Sequence, residues 1–354
     1  QHAHTTVVAL GAHGAAPLMA PQAIGEIQLS GAGRVLAYEL LEGINPLNNV
    51  VVVTDLATGA AWRLAPGDGC AAFGFTLDAT GERLALLQVA MRGRFKPAAW
   101  QVSVVEFASG RTSTLGPARP QEVALEPVAW LRLEGLRQGA PWPVGQDRQP
   151  EGSGATDEIV LRAFVPFQAD GAAGLWAVRA DGSRLRLLLP ETEYVGKPRL
   201  SPDGRLLAFF ASAPENLPKN YIASPGEPPA NVVRVLNLLT GETQTLAVDA
   251  AHAFDVLAWD AAGERLYLSR GAWQDAERAF RFDEVVSLSV RHSMPEVVTR
   301  APERVAGLQP CAGGGLAYVT AQGQRARVRW AGRSVAGPAE WEVENGAVEI
   351  LACR

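Results

Sequence analysis

Apolar and polar positions alternate along this chain in short runs, and no long window carries the 3.6-residue period of a helix. Gly, Pro, Asp and Ser bound the runs, so they read as strands separated by turns. The clearest stretch is Leu200-Ser-Pro-Asp-Gly-Arg-Leu-Leu-Ala-Phe-Phe210. Pro-Asp-Gly predicts a tight turn: Pro presets φ, Asp bonds the backbone ahead of it, and Gly accepts positive φ. Leu206–Phe210 then reads as a buried strand. Val232–Leu246 predicts two more strands around a Thr-Gly turn.

Weaker copies of the first hairpin start at Leu29, Leu77, Trp259 and Leu308. Copies of the second run over 55–64, 106–115, 179–187 and 342–351. A four-stranded unit recurring about every 50 residues predicts propeller blades. The expected fold is all-β: a six-bladed β-propeller of four-stranded antiparallel blades.

The motif Ser201-Pro-Asp-Gly-Arg-Leu-Leu-Ala-Phe209, with Asn237-Leu-Leu-Thr-Gly241 and a closing Leu246, resembles the repeat of TolB-like β-propellers. The match is close over 200–246 and loose over most of the rest. The resemblance implies an exported chain with its signal peptide removed, hence a periplasmic or extracellular location. It also implies a scaffold or assembly role, with a protein or cell-envelope component as partner or a larger complex as host. Fold alone does not set function, because propellers host binders and enzymes alike.

At 354 residues, six blades account for nearly the whole chain. Expected boundaries are 23–66, 67–117, 118–190, 191–248, 249–301 and 302–354. Residues 1–22 read as a leader whose apolar run Thr5–Leu10 is a possible ring-closing strand on the last blade. The 136–155 insertion falls between the first two strands of blade three. In blade six the hairpin at 340–352 is expected to supply the last two strands, leaving 322–339 as an excursion.

Composition narrows the partners. The net charge is −5 with a pI near 5.7, which argues against nucleic acid. No apolar run is long enough to span a membrane as a helix. Of the three cysteines, Cys311 and Cys353 fall at the two ends of the last blade. They pair if their strands are close; three buried thiols are the other reading.

Long connections between second and third strands are expected at 41–49, 90–99, 213–230, 271–283 and 322–339, on one rim of the propeller. Loops on a rigid scaffold are free to carry function. The candidate binding residues lie there: Arg92, Arg94, Phe95 and Lys96 in blade two, Tyr221 in blade four, and Trp273, Arg278 and Arg281 in blade five. Guanidinium forks and flat rings bind carboxylates, sugars or protein hot spots at low entropic cost; a solvated loop whose rings pack locally is the bland alternative.

No catalytic residues, metal ligands or cofactor are assigned. Gly-x-Ser-x-Gly, His-Glu-x-x-His, Cys-x-x-Cys and Asp-x-Asp-x-Asp patterns are missing. His2, His4 and His13 crowd the N-terminus, but Gln1 can cyclise and remove the amine that a copper or nickel site needs. Asp78, Asp203 and Asp260 read as turn residues. The expected function is a non-enzymatic binding module; the alternative is a propeller lyase or hydrolase acting on a carbohydrate or lactone.

Overall fold

The computed structural model describes residues 4–5, 8–11, 14–17, 22–42, 49–65, 70–92, 96–115, 124–131, 157–164, 172–213, 215, 230–274, 279–291, 294–311, 314–323, 325–332, 340–344 and 348–353. Among them the regular structure is all strand apart from one 3₁₀ residue. Three short strands open the chain: β1 (His4–Thr5), β2 (Val8–Gly11) and β3 (Gly14–Pro17). Six antiparallel sheets of the β-propeller class follow, each built of four strands in sequence order, the first with β1 added at its edge.

The chain divides into two compact units, each with three of these sheets. The first holds residues 1–7, 18–166 and 172–192. Its first sheet is β4 (Gln22–Leu29), β5 (Val35–Leu40), β6 (Val50–Asp55) and β7 (Ala61–Leu64). The second is β8 (Cys70–Leu77), β9 (Arg83–Arg92), β10 (Lys96–Glu106) and β11 (Thr112–Leu115). The third is β12 (Ala124–Leu131), β13 (Glu158–Phe164), β14 (Ala172–Arg179) and β15 (Arg186–Tyr194).

The second unit holds residues 8–17, 167–171 and 193–354. Its sheets begin with β16 (Gly196–Leu200), β17 (Leu206–Ala211), β18 (Val232–Asn237) and β19 (Thr243–Val248). Next come β20 (His252–Trp259), β21 (Arg265–Gln274), β22 (Ala279–Ser289) and β23 (Glu296–Arg300). The last sheet is β24 (Arg304–Pro310), β25 (Leu316–Gln322), β26 (Arg325–Ala331) and β27 (Glu340–Glu344).

The repeat is visible as hydrogen bonding. At the turns after five of the six first strands, Ser30, Asp78, Ser201, Asp260 and Cys311 hold the same place: each backbone N–H donates to a carbonyl on the far side of the turn. The Ser201 hydroxyl also accepts from Leu206 N at 2.9 Å, and Gly204 takes φ +73°. After β6 and β18 the carboxylate of Asp55 and the amide oxygen of Asn237 each accept two backbone N–H groups of the turn. This is the local bonding that makes Asx residues turn formers. Asp78 and Asp260 do the same, and Asp203 accepts Arg205 N and the Ser201 hydroxyl, so these repeat aspartates are spent on turns.

The cores lie between sheets. In the first unit Trp130 packs with Leu87, Val102, Ile159 and Leu161, and its Nε1 donates to Thr76 O of the preceding blade at 2.9 Å. In the second, Trp259 packs with Phe210, Val233 and Leu268, and its Nε1 donates to Arg199 O at 2.9 Å. A buried indole N–H needs an acceptor, and here it finds one on the neighbouring first strand.

Three expectations change and one open alternative is decided. β1 pairs with β4, and β2 pairs with β3, so the described N-terminal strands add nothing to the last sheet. The third strand of blade six is β26, inside the stretch read as an excursion; β27 is the fourth, and no strand forms in the described residues 348–353. The connections at 90–99 and 271–283 are largely strand, because β9–β10 and β21–β22 run on as long hairpins. Of the two cysteine readings, the bridge is the one formed: Cys311 and Cys353 are bonded, with Cα atoms 4.5 Å apart, and Cys70 is free. The 136–155 insertion lies outside the described residues.

Candidate functional site

Every first strand is irregular against its second. Register shifts fall at Ile24/Ile27, Ala72/Gly74, Pro127/Ala129, Gly196/Arg199, Phe254/Leu257 and Val305/Gly307. Each is one extra residue on the first strand, a β-bulge, which re-aims side chains out of the ladder. In three of the six the bulge carries a charge: Glu26, Lys197 and Asp255. The buried Ser269 opposite Asp255 and Val256 accepts the bulge's Val256 N–H at 2.9 Å. Opposite Glu26, the Glu39 side chain lies over Gly25, where a Cβ would collide with its carboxylate.

In the second unit the first strands β16, β20 and β24 run side by side. Lys197, held at φ +46°, donates from Nζ to the Asp255 carboxylate and, at 2.9 Å, to Asp255 O. Arg304 Nη2 donates to the other Asp255 oxygen at 2.8 Å. The carboxylate is 16% exposed, its two cations 51% and 61%. Burial works against its charge, but the Lys197 and Arg304 bonds outweigh that and hold its pKa below the ordinary value.

The Arg304 guanidinium also lies over the Phe282 ring, 5.9 Å from its centroid. Phe282 is 6.3 Å from Phe280, which meets Trp273 edge-on at 5.2 Å. These rings sit on the extended part of β21–β22, beyond the register shift at Gly271. A Cβ at Gly271 would lie 2.8 Å from the Arg281 carbonyl carbon, so glycine lets the hairpin close there. Arg281 pairs with Asp283 at 3.0 Å and donates to Pro302 O. The result is a half-exposed patch of rings and cations drawn from three successive blades.

The first unit carries the opposite charge. Glu26 accepts from Gln28 Nε2 at 2.9 Å, and Gln28 in turn bonds Phe75 O and Leu77 N of the next blade. Glu39 accepts from Asn49 at 2.7 Å, and Glu126 is paired with Arg162 at 2.6 Å. Glu26 keeps contact with solvent. Even so, the protein crowded round it strips hydration from the carboxyl and pushes its pKa up to about 7. The Gln28 bond opposes this, and the charges of Glu126 and Glu39 add to it.

Of the residues singled out in the sequence, Trp273 and Arg281 lie within the described hairpin. Arg92 and Lys96 face each other in register across β9–β10, with side chains outside the described residues. Arg94, Phe95, Tyr221 and Arg278 lie outside them altogether. Sequence reasoning passed over Lys197, Asp255, Phe280, Phe282 and Arg304. The aromatic alternation in Ala279-Phe-Arg-Phe282 was the one signal for the rings; nothing local marks the ion triad. Among the described residues no three His, Cys, Asp or Glu side chains are grouped to hold a metal ion.

No family model and no curated protein matches the chain. Solved structures do match in fold. The oligogalacturonate lyase of Vibrio parahaemolyticus aligns over 86% of this chain and 77% of its own, at 13% identity and a TM-score of 0.56. TolB from Acinetobacter baumannii aligns over 90% and 65%, at 12% identity and 0.51. A prolyl endopeptidase structure aligns over 91% of this chain but 42% of its own, at 12% identity and 0.55, so the chain spans less than half of that protein. At these identities the likeness shows a TolB-like propeller fold and nothing finer.

Proposed function

We propose that this chain is an exported, non-enzymatic member of the TolB-like propellers that binds a protein or cell-envelope component through its second-to-third strand hairpins, blade five foremost. The observation that carries the reading is the β21–β22 extension, which stands Trp273, Phe280 and Phe282 against Arg304 as one half-exposed cluster. Rings and arginine together are the usual anchors of protein interfaces, because rings bury large area with few rotors and the guanidinium fork adds several directed donors. The Cys311–Cys353 bridge supports export, since disulfides persist in oxidising compartments. The binding residues in this reading are Trp273, Arg278 and Arg281 of blade five, with Arg92, Arg94, Phe95 and Lys96 of blade two and Tyr221 of blade four.

The test is recovery of the native complex from the source by gentle purification and native mass measurement. A defined complex from the wild type that is lost with Trp273→Ala, at unchanged melting temperature, supports the reading. A monomer in both cases overturns it.

A second reading is a lyase or hydrolase. One observation favours it: a carboxyl with a pKa near 7, as Glu26 has, suits proton transfer at neutral pH. Turnover of uronate oligomers or lactones that falls at least a hundredfold in Glu26→Gln would establish it in place of the first.

A further inference from the structure

We infer that the patch built by Lys197, Arg304 and the blade-five rings takes an extended acidic peptide segment, a carboxylate followed on the same face by apolar side chains. The inference rests on the binding reading above and names the chemistry of its partner. Three observations carry it.

The first is charge. Lys197 and Arg304 share one carboxylate, Asp255, which leaves one positive charge unmatched. Among the described residues the acids nearby are committed elsewhere. Asp283 is paired with Arg281; Glu303, beside Arg304 in the chain, is paired with Arg327 and Arg329. The other ions of blade five balance, Arg270 and Arg300 standing against Glu284 and Asp249. Lys197 and Arg304 are both half-exposed, and both carry more N–H donors than Asp255 uses, so an incoming carboxylate finds charge-assisted bonds already aimed.

The second is preorganisation. Lys197 occupies the left-handed region, which costs a residue with a Cβ, in a bulge that turns it toward the next blade. Asp255 lies in the equivalent bulge of that blade, and Arg304 opens the blade after it. The cations are therefore held from two sides before any ligand arrives, which lowers the ordering cost of binding.

The third is spacing and shape. Phe280 and Phe282 alternate along β22 with ring centroids 6.3 Å apart, Arg304 stands over Phe282, and Trp273 lies beside Phe280 across the hairpin. Alternate side chains of an extended strand lie about 6.7 Å apart, close to the spacing of the two phenylalanines. The rings do not form a flat platform: Trp273 and Phe280 meet at 65°, and Arg304 covers Phe282. Such uneven apolar relief receives aliphatic or aromatic side chains rather than the flat face of a sugar ring.

The experiment measures fluorescence anisotropy of the labelled peptide Glu-Ser-Phe-Ser-Phe against the full chain. Its Gln-Ser-Phe-Ser-Phe counterpart and polygalacturonate serve as competitors. The expected result is a preference of about tenfold for the glutamate peptide, the size of one charge-assisted bond, falling as salt is raised. Lys197→Gln and Arg304→Gln erase that preference in protein that remains folded by circular dichroism, Trp273→Ala weakens both peptides equally, and Arg291→Gln, a distant exposed cation, changes nothing. Equal binding of the two peptides, no binding of either, or a preference that survives Arg304→Gln overturns the inference. So does tighter binding of polygalacturonate, which would assign the anion to a saccharide. The binding reading is judged separately: a native complex that needs Trp273 but not Arg304 would keep that reading and discard the acidic segment.

Discussion

The first strands of the two units solve one geometric problem with opposite chemistry. In both, a bulge throws a charged residue out of the ladder. In the second unit the bulges supply Lys197 and Asp255, which meet each other and Arg304, so burial of the carboxylate is offset by two bonds. In the first unit the bulge supplies Glu26, whose charged neighbours include Glu39 and Glu126, and only an amide, Gln28, donates to it from a side chain. The same backbone device thus yields an ionised carboxylate in one place and a proton-holding one in the other. What differs is which side chain the next strand or blade brings up. The sign of a pKa shift follows the partner, not the bulge.

The staple sharpens the comparison most, because only the second unit has one. Replacing Cys353 by Ser frees a loop of 42 residues and is expected to cost about 4 kcal/mol on loop-entropy grounds. Urea unfolding measures the loss, and hydrogen exchange should show it in β25 and β26 before β5 and β6. Equal loss of protection in both units would mean that they unfold as one.

The carboxylates should respond in opposite directions. Asp255→Asn leaves Lys197 and Arg304 facing each other without a counter-charge and is expected to destabilise by roughly 2 kcal/mol. Glu26→Gln removes a charge that its surroundings disfavour and should raise the urea midpoint at pH 8. If both variants lose stability, the contrast between the units fails.

The two indole latches allow a finer test. Trp259→Phe loses the bond to Arg199 O and should cost about 1 kcal/mol. Trp130→Phe loses the equivalent bond to Thr76 O and also weakens the stacking of Arg83, which lies 4.7 Å above the ring, so it should cost about 0.5 kcal/mol more. Thermal melts of the two variants side by side measure the difference.

The smallest effect is the pH dependence. Glu26 holds its proton more tightly folded than unfolded, where its ordinary value is 4.5. Its contribution is therefore greatest below about pH 4.5 and is lost as pH rises through about 7. Asp255 and Glu284 are shifted down, so theirs is present above their ordinary values of 3.8 and 4.5 and is lost as pH falls through the lower folded values. Subtracting the Glu26→Gln stability curve from that of the wild type, between pH 4 and 8, should isolate a falling slope. A flat difference would remove Glu26 from the account.

Much of the blade was legible because its information is local. Ser201-Pro-Asp-Gly and Asn237-Leu-Leu-Thr-Gly bond their own backbones, so the residues that make the turns also announce them. The reading slipped where a local signal pointed two ways. Asn345-Gly346 looked like the last hairpin turn, which left β26, Arg-Ala-Arg-Val-Arg-Trp-Ala, inside the expected excursion. Arg327 and Arg329 tolerate that place because Glu303, Glu340 and Glu342 come to them from other strands. The hairpin of blade five read as loop because its charged residues mask the alternation that β21 and β22 share in register.

Sequence alone determined the class of fold, the repeat and the turns, because each is written in residues within a few positions of one another. The tertiary structure alone decided the bulges, the choice of the bridge Cys311–Cys353, and the meeting of Lys197, Asp255 and Arg304 from three blades. A bulge is set by the strand it fails to match, and a charge by the partner that packs beside it. Neither partner lies within reach of the local chain, so neither could be read along it.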